Sequence, residues 1–250
     1  MDRRHFIKLG IAGATVAVGG MLAGCAGGAE APAPRSETHP QPQAETPSTS
    51  AATEPAAPKG TPVVTGNSLV IYYSHPEITA ASDPANLTEA EENSAVVVDG
   101  EILGNTQFVA QIIARETGAE LHRIETPHEY PTDHRELTNQ AQQELNSGFR
   151  PEITGGIPDL SAYDTIFFGH PIWWAQLPPT VTSFLEQADF SDKNVFLFNT
   201  HGGSGDAGTP ATIKELQPGA SVSSDNYVVS RDAVAGAEPA IVAWVGGLSR

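Results

Sequence analysis

Three short apolar runs constrain the fold of this chain more than any other feature. They occupy residues 68–73, 163–169 and 194–200, and each is apolar through its centre. None shows the polar–apolar alternation of a strand with one solvated face, and segments that favour a helix lie between and after them. Strands buried on both faces that alternate with helices indicate a parallel sheet between two helical layers.

Weaker signals between these runs predict the other elements. Phe108, Ile112 and Ile113 recur at helical spacing and are closed by Gly118, which favours a helix end. The other predicted strands are 121–125 and 221–229, and the other predicted helices are 133–147, 178–188, 209–216 and 238–248.

Residues 75–103 interrupt the pattern between the first strand and its helix, where an undisturbed unit has only a few residues. Residues 96–103 predict a hairpin that turns on Asp99-Gly100. Because the insertion leaves the sheet at the edge where α/β proteins bind ligands, we expect it to have a functional role.

The N-terminus has the features of an export signal. A charged head that contains Arg3 and Arg4 precedes an uncharged apolar stretch at 9–23. The paired arginines resemble a twin-arginine signal, and Leu-Ala-Gly before Cys25 resembles the lipobox of bacterial lipoproteins. We therefore predict a signal peptide at 1–24, lipidation of Cys25 and a location on the outer face of the bacterial cytoplasmic membrane. An ordinary lipoprotein signal with two fortuitous arginines is the alternative.

Composition and charge define the rest of the organisation. Residues 25–66 are rich in Ala, Pro, Glu, Thr and Ser and predict a disordered tether, which leaves a folded domain at 67–250. The net charge is −17; removing residues 1–24 takes away three positive charges and one negative charge, which leaves −19. Such an acidic chain argues against nucleic acid or an anionic membrane surface as a partner, so the lipid is the only membrane contact that we expect.

Three loops at the carboxyl ends of predicted strands carry the candidate site. The first holds Ser74 and, beyond the insertion, the helix start Gly104-Asn105-Thr106-Gln107. Hydroxyl and backbone N–H groups at a helix start suit a phosphate, although Asn105 and Thr106 alone could simply cap the helix. No Lys or Arg lies between Ser74 and Arg115, so this loop would hold a phosphate through dipoles and hydrogen bonds.

The other two loops add aromatic rings and glycines. The second loop, 169–178, contains the adjacent Trp173 and Trp174. Both cannot enter one core, and a flat conjugated ligand could cover the exposed ring. The alternative places one ring in the core and the other at a protein contact. The third loop, 200–205, contains glycines that allow close approach of a ligand, or that merely make the turn flexible.

Together these loops resemble the flavodoxin family, in the branch with Gly-x-Pro-Ile-Trp-Trp and Thr-His-Gly-Gly-Ser-Gly loops. The resemblance runs from about Ser68 to the C-terminus and departs from the family where 75–103 split the first loop. It implies a flavodoxin-like three-layer sandwich, with five parallel strands in the order 2-1-3-4-5.

The resemblance also implies FMN as the cofactor. Residues of the first loop would hold its phosphate, the second loop would flank its isoalloxazine ring, and the third would close the other side. The implied binding residues are Ser74, Gly104, Asn105, Thr106, Gln107, Pro171, Ile172, Trp173, Trp174, His201, Gly202, Gly203, Ser204 and Gly205.

Other kinds of site have little support in the sequence. Six histidines lie between residues 75 and 201 without a tight ligand pair, and no cysteine follows Cys25, so no metal site is predicted. Gly203-Ser204-Gly205 lacks the spacing of a hydrolase nucleophile.

We therefore expect an electron carrier that meets a redox partner protein or a small acceptor, with no catalytic residue of its own and, in this acidic surround, a low redox potential. An FMN-dependent quinone or NAD(P)H oxidoreductase remains open, as does a lipoprotein that binds another ligand without flavin.

Overall fold

The computed structural model describes residue 64 and residues 66–248. The predicted signal peptide at 1–24, the lipidation site Cys25 and nearly all of the predicted tether at 25–66 therefore lie outside the described residues. Within the described part, no helix is both long enough and apolar enough to cross a bilayer.

The strands and helices alternate along the chain as expected, except within the insertion and in the segment predicted as the fifth strand. The strands are β1 (Ser68–Tyr72), β2 (Ala95–Val98), β3 (Glu101–Gly104), β4 (Glu120–Arg123), β5 (Thr165–Pro171), β6 (Asn194–His201), β7 (Ser221–Val222) and β8 (Tyr227–Ser230). The helices are α1 (Glu89–Glu92), α2 (Asn105–Thr117), α3 (His134–Ser147), α4 (Pro179–Gln187), α5 (Thr209–Leu216) and α6 (Glu238–Gly247), with a 3₁₀ turn at Val234–Gly236.

The main sheet is parallel throughout and has the order β4-β1-β5-β6, after which both β7 and β8 pair with β6. The α/β class and the order of the first four strands are as predicted. The prediction of one fifth strand over 221–229 is wrong, because a polar turn divides it and the sheet has six strands. In that turn the Asp225 N–H donates to Ser223 Oγ at 3.0 Å, and serine and aspartate favour such turns over a continued strand.

Side chains leave the sheet alternately to two cores. In β5, Ile166 and Phe168 enter the core beneath α3, α4 and α5, whereas Phe167 enters the core beneath α2 and α6. All three side chains are fully buried, as expected of strands covered on both sides. The result is the predicted three-layer sandwich.

The insertion is an ordered addition to this sandwich. Its strands β2 and β3 pair antiparallel across Asp99 and Gly100, whose φ angles are 51° and 83°. Two successive positive φ angles are those of a tight hairpin turn, so the hairpin prediction is confirmed. Val96 is buried in the core beneath α2, and this contact fixes the insertion over the start of that helix.

Candidate functional site

A cavity of about 380 Å³ opens at the carboxyl edge of β1, β5 and β6. Its size falls within the range of small-molecule sites, and its place is the edge at which α/β sheets bind ligands. Ten of the fourteen residues that the sequence singled out line it: Ser74, Asn105, Thr106, Pro171, Ile172, Trp173, Trp174, His201, Gly202 and Ser204.

The other four residues shape the loops and do not line the cavity. Gly104 lies so close to Ser74 that a Cβ at this position would collide with the serine hydroxyl. Gln107 accepts the Gly104 N–H through Oε1 at 3.4 Å, which fixes the start of α2. In the third loop, the Gly203 N–H donates to Nδ1 of His201 at 2.9 Å, and the Gly205 carbonyl oxygen accepts from the side chain of Asn199.

The split first loop is reassembled in space. Ser74 is buried beside Gly104, although 29 residues of insertion separate them in sequence. The start of α2 also meets β6, because the hydroxyls of Thr106 and Thr200 share a hydrogen bond of 2.8 Å. The N–H groups of Thr106 and Gln107 lie in the first turn of α2 and have no intrahelical acceptor, so they are available to an anion.

The side-chain amide of Asn105 has a hydrogen-bond partner for its nitrogen but none, among the described residues, for its oxygen. Its Nδ2 donates to the Asn93 carbonyl at 3.2 Å, and its backbone N–H donates to the Ser94 carbonyl at 2.8 Å. Its Oδ1 is buried and has no hydrogen-bond partner among the described residues. A buried acceptor without a donor is costly, and a ligand that carries hydroxyl or N–H groups would supply one.

Trp173 is the inner ring of the second loop. Its indole is half-buried and makes edge-on contacts with Tyr130 at a centroid distance of 5.1 Å and with Tyr73 at 5.9 Å. His75 stands edge-on to the same ring at 6.5 Å. These contacts anchor Trp173 in the protein while one part of it faces the cavity.

Trp174 is the outer ring, with half of its surface exposed. Its Nε1 donates to the Thr138 carbonyl at 2.8 Å, which ties the second loop to α3. Trp174 and Ala175 have φ angles of 48° and 55° and form a two-residue turn closed by reciprocal backbone hydrogen bonds between Trp173 and Gln176. Two consecutive non-glycine residues in the left-handed region cost about 1–2 kcal/mol each. Such strain is concentrated at functional sites.

One face of α3 forms a wall that the sequence analysis did not identify. Its lining residues His134, Leu137, Thr138 and Ala141 follow the i, i+3, i+4, i+7 spacing of a single helical face. That spacing was present in the sequence, but the helix is polar overall and its topological position over the cavity was not evident.

The insertion supplies a second wall that includes Glu77, Asn93 and Ser94. The Glu77 carboxylate is buried and accepts from Nδ1 of His134 at 2.8 Å, so it ties the insertion to α3 across the cavity. Burial raises the pKa of Glu77, and the neighbouring His134, Ser94 and Arg231 oppose this rise. The expectation of a functional role for 75–103 is consistent with this position.

Arg231 brings a cation to the cavity, contrary to the expectation that only dipoles and hydrogen bonds would face an anion there. It follows β8, and its backbone N–H donates to the His201 carbonyl at 2.8 Å. It was missed because it lies far along the sequence from the predicted loops, at the end of a short edge strand.

His170 lies beneath the second loop and is fully buried. Its Nδ1–H donates to the Pro171 carbonyl at 3.1 Å. Burial lowers its pKa to about 4, so the ring is neutral near pH 7. Burial also lowers the pKa of His75. Among the described residues, no group of three or more His, Cys, Asp or Glu side chains is placed to hold a metal ion.

Comparison with solved structures agrees with this architecture. A protein assigned as a flavoprotein from Bacteroides eggerthii is 21% identical, with a TM-score of 0.50 over 71% of this chain and 98% of its own. A protein with the same assignment from Bacteroides uniformis is 22% identical, with a TM-score of 0.48 over 68% and 96%. A flavoprotein in complex with FMN from Lactobacillus acidophilus is 19% identical, with a TM-score of 0.45 over 68% and 95%.

No curated protein sequence matches the chain. The model of the flavodoxin family, in contrast, matches residues 95–245, which is more than half of the chain and includes the second and third loops and the start of α2. With β1 and Ser74 completing the same sheet edge ahead of the matched residues, the chain belongs to the flavodoxin family.

Proposed function

We propose that this chain is an exported, lipid-anchored electron carrier that holds FMN in the cavity and transfers electrons to and from a redox partner. Its cofactor is FMN, as in the flavodoxin family to which it belongs. The observation that carries the proposal is that three loops far apart in sequence line a single cavity, which combines two tryptophans with the N-terminal turn of α2.

The polar end of the cavity fits the phosphate and the ribityl chain. The N–H of Thr106 in the first turn of α2 suits a phosphate, as does the hydroxyl of Ser74. The unpartnered Oδ1 of Asn105 requires a donor, and the ribityl hydroxyls and the N–H of the flavin ring are donors. The donor set therefore fits both parts of the group.

The aromatic end fits the ring. Trp174 presents an exposed indole at the mouth, while Ile172 and Leu137 add apolar surface to the lining. When bound, FMN supplies reversible electron transfer at its isoalloxazine ring. The chain itself orients that ring and limits the access of water, and the Trp174–Thr138 bond holds the outer indole in place.

The carrier function is supported by the domain organisation. The described residues form one sandwich and contain no second dinucleotide-binding domain. The location is supported by the N-terminal sequence, in which Arg3, Arg4 and Cys25 stand at the spacing of an export and lipidation signal.

The cofactor test uses protein purified from the bacterial envelope after native export. We expect a yellow protein that on denaturation releases FMN in an amount roughly equimolar with the protein. A colourless protein whose apo form also fails to take up added FMN would contradict the proposal.

A second assay separates a carrier from an enzyme. The reduced protein should pass electrons to an external one-electron acceptor, such as the basic protein cytochrome c, and should show negligible turnover of NAD(P)H with quinones. Rapid NAD(P)H–quinone turnover would instead assign an FMN-dependent oxidoreductase.

A further inference from the structure

Positive charge is scarce in this protein, and one of its few cationic side chains lines the cavity. The described residues include seven Lys and Arg side chains in a chain of net charge −17. Only Arg231 among these seven lines the cavity. Arg115 and Arg150, in contrast, pair with exposed glutamates on the surface.

The guanidinium of Arg231 makes one long ion pair and is close enough to Glu77 to lower the pKa of that carboxyl. It lies against Gly202, so close that a Cβ there would stand 3.3 Å from Nη1. Its ion pair is with Asp232, at 3.8 Å through Nε, and that carboxylate is 88% exposed. An exposed pair of this length contributes little, so the Nη groups are available to another anion.

Contacts connect Arg231 to the start of α2. Its backbone bonds to His201, which follows Thr200 in β6, and Thr200 bonds to the hydroxyl of Thr106 in the first turn of α2. Arg231, Thr106 in the first turn of α2 and Ser74 just beyond β1 all line the same cavity.

One acidic side chain, that of Glu77, also lines this cavity. The backbone N–H of Glu77 donates to Ser94 Oγ at 2.7 Å, and the Ser94 carbonyl accepts the N–H of Asn105 at 2.8 Å, so the Glu77 side chain is held next to the start of α2. Its carboxylate is buried, and His134 is its only recorded ion-pair partner among the described residues. A second anion in this cavity must overcome repulsion from Glu77.

We propose that Arg231 is the cationic ligand of the FMN phosphate, that it makes the site select FMN over riboflavin, and that Glu77 opposes it. The inference rests on the proposed binding of FMN in this cavity. Arg231 and the N–H groups of α2 attract the phosphate from two sides, and the bond to His134 limits the repulsion by holding the Glu77 carboxylate. A guanidinium is well suited to this task because its fork can meet two phosphate oxygens at once.

The test measures affinity by fluorescence titration of apoprotein with FMN and, separately, with riboflavin, which lacks the phosphate. In Arg231→Gln we expect FMN affinity to fall about ten- to a hundred-fold, as for loss of a charged hydrogen bond, with riboflavin affinity changed less than about three-fold. Arg231→Lys should retain part of the FMN affinity because the charge remains. The difference in FMN affinity between the wild type and Arg231→Gln should also be smaller at high salt, because salt screens the charge.

Two further variants complete the design. Glu77→Gln keeps a hydrogen-bonding side chain for His134 but removes the charge, so FMN should bind several-fold more tightly and riboflavin about equally well. Arg135→Gln makes the same change of charge at an exposed position of α3 outside the cavity, and it should alter neither affinity.

The outcomes separate the inference from the function on which it rests. Wild-type protein that binds neither flavin would refute the proposed function. If the wild type binds FMN, then an unchanged FMN affinity in Arg231→Gln, or an equal loss for FMN and riboflavin, overturns the role of Arg231. A tighter FMN complex in Glu77→Gln supports the opposing charge, and an unchanged or weaker one overturns it. Urea unfolding of each apo variant checks that the fold is intact.

Discussion

Opposite roles for the two adjacent tryptophans can be tested by replacing each with alanine. Trp174 is half exposed at the cavity mouth, and Trp173 is held among Tyr73, Tyr130 and His75. We expect Trp174→Ala to weaken FMN binding and Trp173→Ala to destabilise the fold. The pair therefore distinguishes the cofactor contact from the packing residue.

The magnitudes follow from what each ring touches. A flavin stacked on Trp174 gains roughly 0.5–1.5 kcal/mol beyond area burial, so with the lost apolar contact Trp174→Ala should cost about 1–3 kcal/mol of FMN affinity, or ten- to a hundred-fold. The same change removes the hydrogen bond to the Thr138 carbonyl, worth about 0.5–1.5 kcal/mol of stability. Trp173→Ala should lower the free energy of unfolding by about 2–3 kcal/mol, somewhat less than for a fully buried tryptophan.

Two controls isolate the causes. Trp174→Phe retains an aromatic face without the indole N–H, so FMN affinity should largely survive while the tie to α3 is lost. Ala175→Gly relieves a left-handed residue in the same turn and keeps both rings, so it should stabilise the apoprotein by about 1 kcal/mol or less and change FMN binding far less than Trp174→Ala does.

The assays are urea unfolding of the apoproteins and titration with FMN, in which quenching of the intrinsic fluorescence reports contact between flavin and indole. If both alanine variants bind FMN as tightly as the wild type, the second loop does not form the flavin site. If Trp173→Ala loses affinity without loss of stability, the roles of the two rings are reversed.

Three other predictions address the split loop, the buried histidine and export. Gly104→Ala places a Cβ against the Ser74 hydroxyl, so we expect about 1–3 kcal/mol of destabilisation and weaker FMN binding; unchanged urea midpoints would refute the close approach. His170 has a folded pKa of about 4, below its unfolded value near 6.5, so its contribution to stability is present above pH 6.5 and is lost as the pH falls towards 4. His170→Asn keeps a hydrogen-bond donor but does not titrate, so between pH 6.5 and 4 the variant should lose about 3 kcal/mol less stability than the wild type does. Urea unfolding at each pH measures this, and parallel stability profiles of variant and wild type would contradict it. Replacing the paired arginines of the N-terminus by lysine should retain the precursor inside the cell, and Cys25→Ser should prevent lipidation; fractionation and lipid labelling test both, and normal export of the lysine variant would exclude the twin-arginine route.

The fold could be predicted from the sequence because its strands are buried on both faces. Runs such as 195–198 are continuous apolar segments, and the residues that cap α3, Asp133 and Gly148, are standard helix boundaries. The fifth strand was misjudged, although Ser223 and Asp225 are turn-forming residues within the predicted segment.

The site could be predicted only where its residues follow strands directly. The second and third loops continue from β5 and β6, so their position at the sheet edge follows from topology alone. His134 and Glu77 meet through a contact between the insertion and α3 across 57 positions, which no local pattern contains. Arg231 reaches the cavity from the far edge of the sheet, where its guanidinium lies against Gly202.

The insertion alters the phosphate end while leaving its framework in place. Because Ser74 and Gly104 return to contact, the two halves of the family loop still meet at the start of α2. The Ser94 carbonyl, however, occupies the N–H of Asn105, and Glu77 adds a buried negative charge beside it. Both changes weaken the attraction of an anion at this helix start. Positive charge from elsewhere in the fold would offset both changes, and among the Lys and Arg side chains of the described residues it is Arg231 that lines the same cavity.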